Sequence, residues 1–213
     1  LLGKGYQVIV YAPSEAALIG KKIRQEFLKK GGKVVPLTDF LTVAITQEAV
    51  IIDAILGIGS PALVQPKADK VWQPIIQKIN QTAAMKISID IPAGIDATSG
   101  EVCGEAVIAS NTLCLGLLHQ GCFLGNAPNY VGTVHLIDFE VELKPSPTYY
   151  TISYEKVAAS LKRPKKTQHK YQAGFVVGIA GCNPMMGAAF LASKAALRAG
   201  AGIVKLFHEP GIN

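Results

Sequence analysis

No apolar run in this chain approaches the roughly 20 residues needed to cross a bilayer, and no signal-peptide pattern opens it, so no membrane partner is expected. Cysteine is scarce: Cys103, Cys114, Cys122 and Cys182 are the full set. None forms a C-x-x-C pair, which leaves zinc and thioredoxin chemistry unsupported. Their apolar neighbours point to buried thiols in a reducing compartment, and the expected location is cytoplasmic. Aromatic residues make up only 7% of the chain. No aromatic ladder accompanies the one dense basic run, KRPKKTQHK at residues 162–170, so nucleic acid is not an expected partner. That run reads either as a solvated linker or as a phosphate contact. No G-x-G-x-x-G, internal repeat or low-complexity tract is present. The chain opens on Leu1 rather than Met. Residues 1–5 read as a helix end feeding a strand, which places the start of the chain inside a domain.

What is present is a core. Of the 213 residues, 49% are hydrophobic and 17% charged, with a net charge of +6. This is the composition of a folded chain of one domain, or one and part of a second. The β-branched run QVIVYA (residues 7–12) reads as a strand. A helix is expected over residues 14–30, with Gly31 and Gly32 as its stop, and a strand over 33–37. Such a strand–helix–strand unit implies a right-handed parallel crossover. Further strands are read at 50–53, 86–90, 112–115 and 132–138, with a helix at 67–80 that Pro74 would kink or interrupt. Strands alternating with helices predict a doubly wound parallel α/β sheet. KPSP at residues 144–147 marks a boundary, giving domains of 1–147 and 148–213. Beyond it come a short helix capped by Ser153, a strand at 174–181, an alanine-rich helix at 187–198 and a strand from Ile203 to Phe207, one β–α–β unit of a second sheet.

Two segments carry the chemistry. ISIDIPAGID (residues 87–96) is an apolar strand that ends on Asp90, with Pro92 and Gly94 turning the chain away. IIDAILGIGS (residues 51–60) repeats that logic, with Asp53 at the strand end and Gly57 and Gly59 after it. Ligands of open α/β sheets sit beyond the carboxyl ends of the strands, so both aspartates are placed for one site. Each also has a plainer reading, as a cap or an acceptor of loop amides. His119, His135 and His208 show no metal-ligand spacing and read as structural or solvent-facing.

DAILGIG (53–59), SIDIPAGIDATSGEVCGEAVIASNTLCLG (88–116) and YVGTVHLIDFEV (130–141) resemble the NAD(P)H-hydrate epimerase domain. HKYQAGFVVGIAGCNPMMGAAFLASKAALRAGAGIVKLF (169–207) resembles the start of the ADP-dependent NAD(P)H-hydrate dehydratase domain. The two are fused in this order in bifunctional repair enzymes. The resemblance implies a Rossmann-like first domain, truncated at its N-terminus, and the start of a ribokinase-like second one. It implies epimerisation of the C6 hydrates of NADH and NADPH, followed by dehydration of the S epimer at the expense of ADP. Hydrated NADH or NADPH is then the substrate, potassium the ion of the epimerase, and ADP with Mg²⁺ the requirement of the dehydratase. Self-association is left open.

By the same resemblance, Asp53 and the Ala93 position hold the potassium ion, although Ala93 stands where the family usually has serine. Gly57, Ile58, Gly59, Ser60, Pro61, Ala62 and Leu63 form the loop against the hydrated nucleotide. Asp90 contacts that substrate and is the expected catalytic residue. Ala188 lines the hydrate pocket of the second domain. His119 occupies a position where the family often has lysine. The family's phosphate loop and the later ADP-binding segments have no counterpart in these 213 residues, which by themselves are expected to be inactive. Two other readings stay open: a nucleotide-binding module without catalysis, and a ribokinase-type small-molecule kinase.

Overall fold

The computed structural model describes residues 1–13, 18–57, 66–139, 149–161, 165–182 and 185–208. The chain divides into two compact units, Leu1–Tyr149 and Tyr150–Asn213. The KPSP segment lies outside the described residues.

In the first unit a 3-10 turn, Leu2–Lys4, ends on Gly5 in the left-handed region and leads into β1 (Ile9–Ala12). Helix α1 (Leu18–Lys29) and β2 (Lys33–Pro36) follow. β1 and β2 pair in parallel, from Ile9 opposite Lys33 to Ala12 opposite Pro36. Then come β3 (Val50–Asp53), α2 (Pro66–Gln81), β4 (Met85–Ile89), β5 (Asn111–Leu115) and β6 (Thr133–Ile137). These four strands form one parallel sheet in the order β3-β4-β5-β6. The expected single sheet is therefore corrected in one respect. Among the described residues no ladder joins β1 to β3, and β1-β2 stands as its own pair. Packing holds the two pieces together instead, because Tyr11 of β1 and Ile51 of β3 lie against the same buried cluster. The arrangement is a parallel α/β fold of Rossmann-like kind.

Helix α2 shows why it forms and where it docks. Trp72, Ile75, Ile76 and Ile79 recur at helical spacing. Three of them are buried with Phe40, Ala93 and Val107, and Trp72 packs against that cluster. Pro74, on the exposed face, does not interrupt the helix, which runs through it. Asn80 then ties the end of α2 to the chain beyond β4. Its Nδ2 donates to the Ala106 carbonyl at 2.9 Å, and its Oδ1 accepts from Ile108 N–H at 2.8 Å.

The second unit has α3 (Tyr154–Ser160), β7 (Phe175–Ile179), α4 (Met186–Arg198) and β8 (Ile203–Phe207). The Ser153 side chain caps α3 by accepting from Lys156 N–H at 3.3 Å. β7 and β8 pair in parallel around α4, the expected β–α–β unit. Ile179, Phe190 and Leu191 remain largely exposed on it.

Candidate functional site

The candidate site is built where β4 ends, because parallel register puts the ends of its neighbours beside it. Asp53, the last residue of β3, stands opposite Ser88. Leu113 of β5 stands opposite Ile89. β4 stops one residue short of Asp90, which has a φ of 71°, the one positive value outside glycine among the described residues. Ile91 N–H donates back to the Ile89 carbonyl at 2.9 Å, so Asp90 is the central residue of a γ-turn. That conformation is costly for any residue but glycine, although aspartate tolerates it better than most. The turn is anchored by Asp90 N–H, which still donates to the Leu113 carbonyl at 2.8 Å.

The turn sends the Asp90 carboxylate toward the end of β5. Its Oδ1 meets His119 Nε2 at 2.7 Å and accepts from Leu115 N–H at 3.4 Å. Both side chains are partly exposed, His119 at 16% and Asp90 at 18%. The bond can thus be reached from solvent without being swamped by it. Of the two sequence expectations for His119, structural or solvent-facing, this contact excludes a simply solvent-facing side chain. Spacing could not show this, since the partners lie 29 residues apart. The one signal in the sequence was its place where the resembling family often carries lysine.

His119 leads directly into a 3-10 turn, Gln120–Phe123. Two contacts fasten that turn to the loop after β4: Gly121 N–H donates to the Ala97 carbonyl, and Gln120 Nε2 to the Thr98 carbonyl, both at 2.8 Å. Beneath it, Cys114 and Cys122 are buried with sulfurs 3.9 Å apart. Cys114 Sγ also donates to the Asp90 carbonyl at 3.4 Å. The contact with Cys122 holds the Cys114 thiol below the usual range and pushes the Cys122 thiol above it. The expectation of buried thiols holds for these two; Cys103 is half-buried and Cys182 exposed.

Asp53 sits in a different environment. It is 2% exposed. Oδ2 accepts from Ser88 Oγ–H at 2.8 Å and from Ala93 N–H at 2.9 Å, and Oδ1 accepts from Ile55 N–H at 3.2 Å. Burial raises its pKa, and those three hydrogen bonds oppose the rise. The plainer reading of Asp53, an acceptor of loop amides, is therefore true of it. A potassium ion asks for hard oxygen donors, and the residues fit that demand in kind. Oδ1 has a single protein donor, which leaves acceptor capacity. No cationic side chain pairs with this buried carboxylate among the described residues. The Ala93 carbonyl accepts from Val107 N–H at 2.9 Å and keeps its second lone pair.

The loop after β4 threads between two cores, with Ile91 and Ile95 buried in one and Ala93 in the other. Asp53 and Ala93 are thus in direct contact, and Asp90 leaves the same strand end toward β5. Gly57 lies at the edge of the described residues; Ile58, Gly59, Ser60, Pro61, Ala62 and Leu63 fall outside them. Ala188 is exposed on α4 of the second unit. His135 bonds Asn111 Oδ1 at 2.9 Å across β5 and β6. The sequence reading passed over Asp96. Its Oδ1 accepts from Ser99 N–H at 2.7 Å, Ser99 Oγ–H at 2.9 Å and Thr98 N–H at 3.0 Å, fixing the loop that carries the 3-10 turn's anchors.

A parallel α/β sheet with carboxylates gathered at its strand ends is the class that this fold and site define. Residues 1–121 match the family described as YjeF-related protein N-terminus, and the chain belongs to that family. It is similar to the bifunctional NAD(P)H-hydrate repair enzyme Nnr of Vibrio cholerae, at 33% identity over 166 residues, covering 76% of this chain and 33% of that protein. The protein of the same name from Synechocystis is 30% identical over 222 aligned residues, covering 98% of this chain and 40% of the relative. The one from Escherichia coli is 31% identical over 199, covering 91% and 36%. The chain thus spans between a third and two-fifths of the length of these curated relatives.

Proposed function

We propose that the protein repairs hydrated NADH and NADPH, with the first unit epimerising the hydrates at C6 and the second belonging to an ADP-dependent, Mg²⁺-requiring dehydratase of ribokinase-like fold. The observation that carries the epimerase reading is the Asp90 carboxylate, held at a strand end by a γ-turn and left partly open. Epimerisation at a carbon bearing OH beside nitrogen needs a proton moved and developing positive charge faced. A positioned carboxylate does both. The loop from Gly57 to Leu63 would lie against the nucleotide, its glycines letting backbone N–H groups approach phosphate.

In the same reading, Asp53 and the Ala93 carbonyl would hold a potassium ion, which supplies fixed positive charge beside the substrate. Asp53's own task is to orient the Ala93 segment through its hydrogen bonds to Ala93 N–H and Ser88. In full-length wild-type protein, replacing a large organic cation with potassium should raise Tm, as ligand binding to the native state does. The rise should vanish in Asp53→Ala. An equal rise in both proteins would remove Asp53 from the site.

The deciding experiment follows the interconversion of the two NADPH-hydrate epimers by chromatography. Asp90→Asn keeps size and hydrogen bonding but loses charge and proton transfer. The expected loss in full-length protein is about 10²–10⁴-fold, with folding little changed. A wild-type rate in that variant would make Asp90 structural.

A further inference from the structure

The Asp90–His119 contact joins a carboxylate to an imidazole at 2.7 Å, and the epimerase reading uses only its aspartate. We propose that His119 is the positioning partner of Asp90, and that the two side chains hold and return a single proton during epimerisation. The inference rests on the epimerase reading.

Both members are set from the backbone. Asp90 is aimed by its γ-turn. The His119 carbonyl accepts from Cys122 N–H at 3.1 Å, and the turn it opens is tied to Ala97 and Thr98. The 2.7 Å bond therefore joins two side chains whose main chains are fixed independently. A carboxylate facing an imidazole at this distance fixes the ring's orientation and tautomer, leaving Nδ1 for other contacts. The titratable groups that face the pair among the described residues are Cys114, from β5, and Cys122, from the 3-10 turn.

Epimerisation gives such a pair a balanced task. The pair's proton passes to the C6 hydroxyl oxygen, the C6–O bond breaks, and water leaves while the ring nitrogen's lone pair closes a C=N⁺ bond. Water then adds to C6 from the opposite face, the C–O bond reforms, and the proton it sheds returns to the pair by way of solvent, which reaches both side chains. Nothing is consumed. His119 acts through Asp90: it shares the proton when the carboxylate holds it and balances the carboxylate's charge when it is gone. Lysine at this position would balance charge but would not share a proton near neutral pH in the same way.

Two variants of the full-length protein test this. His119→Gln keeps a hydrogen-bond donor for Oδ1 but does not ionise. It should lower epimerisation kcat at least about tenfold, leave KM nearly unchanged, and flatten one limb of the pH–rate profile. His119→Lys, which balances charge without sharing the proton, should stay below the wild-type kcat and displace that limb to higher pH. Nitrogen NMR of the histidine ring gives a readout apart from activity. In wild type, Nε2 should carry the proton facing Asp90, and in Asp90→Asn the neutral ring should populate both tautomers. A His119→Gln protein with wild-type kcat and an unchanged pH profile would overturn the pairing while leaving the epimerase reading in place. A ring that keeps its tautomer in Asp90→Asn would do the same. A wild-type protein that does not interconvert the epimers would overturn the reading beneath it.

Discussion

At the scale of the residue, Asp53 and Asp90 are the same side chain put to different uses by a few ångströms of backbone. Asp53 is enclosed and saturated on one oxygen by Ser88 and Ala93. Asp90 is partly open and faces a histidine. Asp53→Asn would turn an amide N–H₂ toward groups that are themselves donors, leaving at least one buried donor unsatisfied. Denaturant unfolding should show a loss of about 1–3 kcal/mol, and a variant as stable as wild type would mean the pocket rearranges around the amide. Asp96 differs again. Hydrogen bonds from the Ser99 amide and hydroxyl, then the Thr98 amide, lower its pKa from 3.8. A lowered folded value means that its contribution to stability is present above the unfolded pKa and is lost as pH falls through the folded one. The Thr98 and Ser99 amide signals should therefore move on acidification with a midpoint below pH 3.8. Movement centred above 3.8 would contradict the hydrogen-bonded geometry.

At the scale of the element, the loop after β4 is the most constrained stretch of the first unit. Gly94 has a φ of 98°, and a Cβ there would collide with the Glu105 carbonyl and press on Ala106. Its own carbonyl accepts from Cys103 N–H at 2.8 Å, so the loop doubles back on itself at this residue. Gly94→Ala should cost about 1–3 kcal/mol from the backbone conformation alone, with more from the collision. Because Ala93 N–H anchors Asp53 next door, the variant should also lose the potassium-dependent rise in Tm. A Gly94→Ala protein with wild-type unfolding and an unchanged potassium response would show that the loop is not held as described.

At the scale of the molecule, the chain separates into two units, and the proposed activities separate with them. Asp90→Asn in full-length protein should slow epimerisation while leaving ADP-dependent dehydration of the S epimer intact, read as recovered NADPH absorbance. If dehydration falls in parallel, the two activities are not independent and the division of labour between the units is wrong.

The sequence by itself determined the parallel α/β class, the order of its elements and the two carboxylate strand ends. These are local properties: β3 ends at Asp53 and β8 runs from Ile203 to Phe207, as the apolar runs imply, and the ALRAGAG segment closes α4. The resemblance of the DIPAGID segment pointed to the right family, since the residues that make that loop also define its shape. Only the tertiary structure decided what each aspartate faces. Asp53 reaches Ala93 across 40 residues, and Asp90 reaches His119 across 29. Both contacts depend on parallel pairing of β3, β4 and β5 and on a γ-turn that no period or propensity encodes. Of the kink or interruption expected at Pro74, the interruption is absent for a related reason: packing of Ile75, Ile76 and Ile79 holds α2 together through a residue that local rules alone count against it.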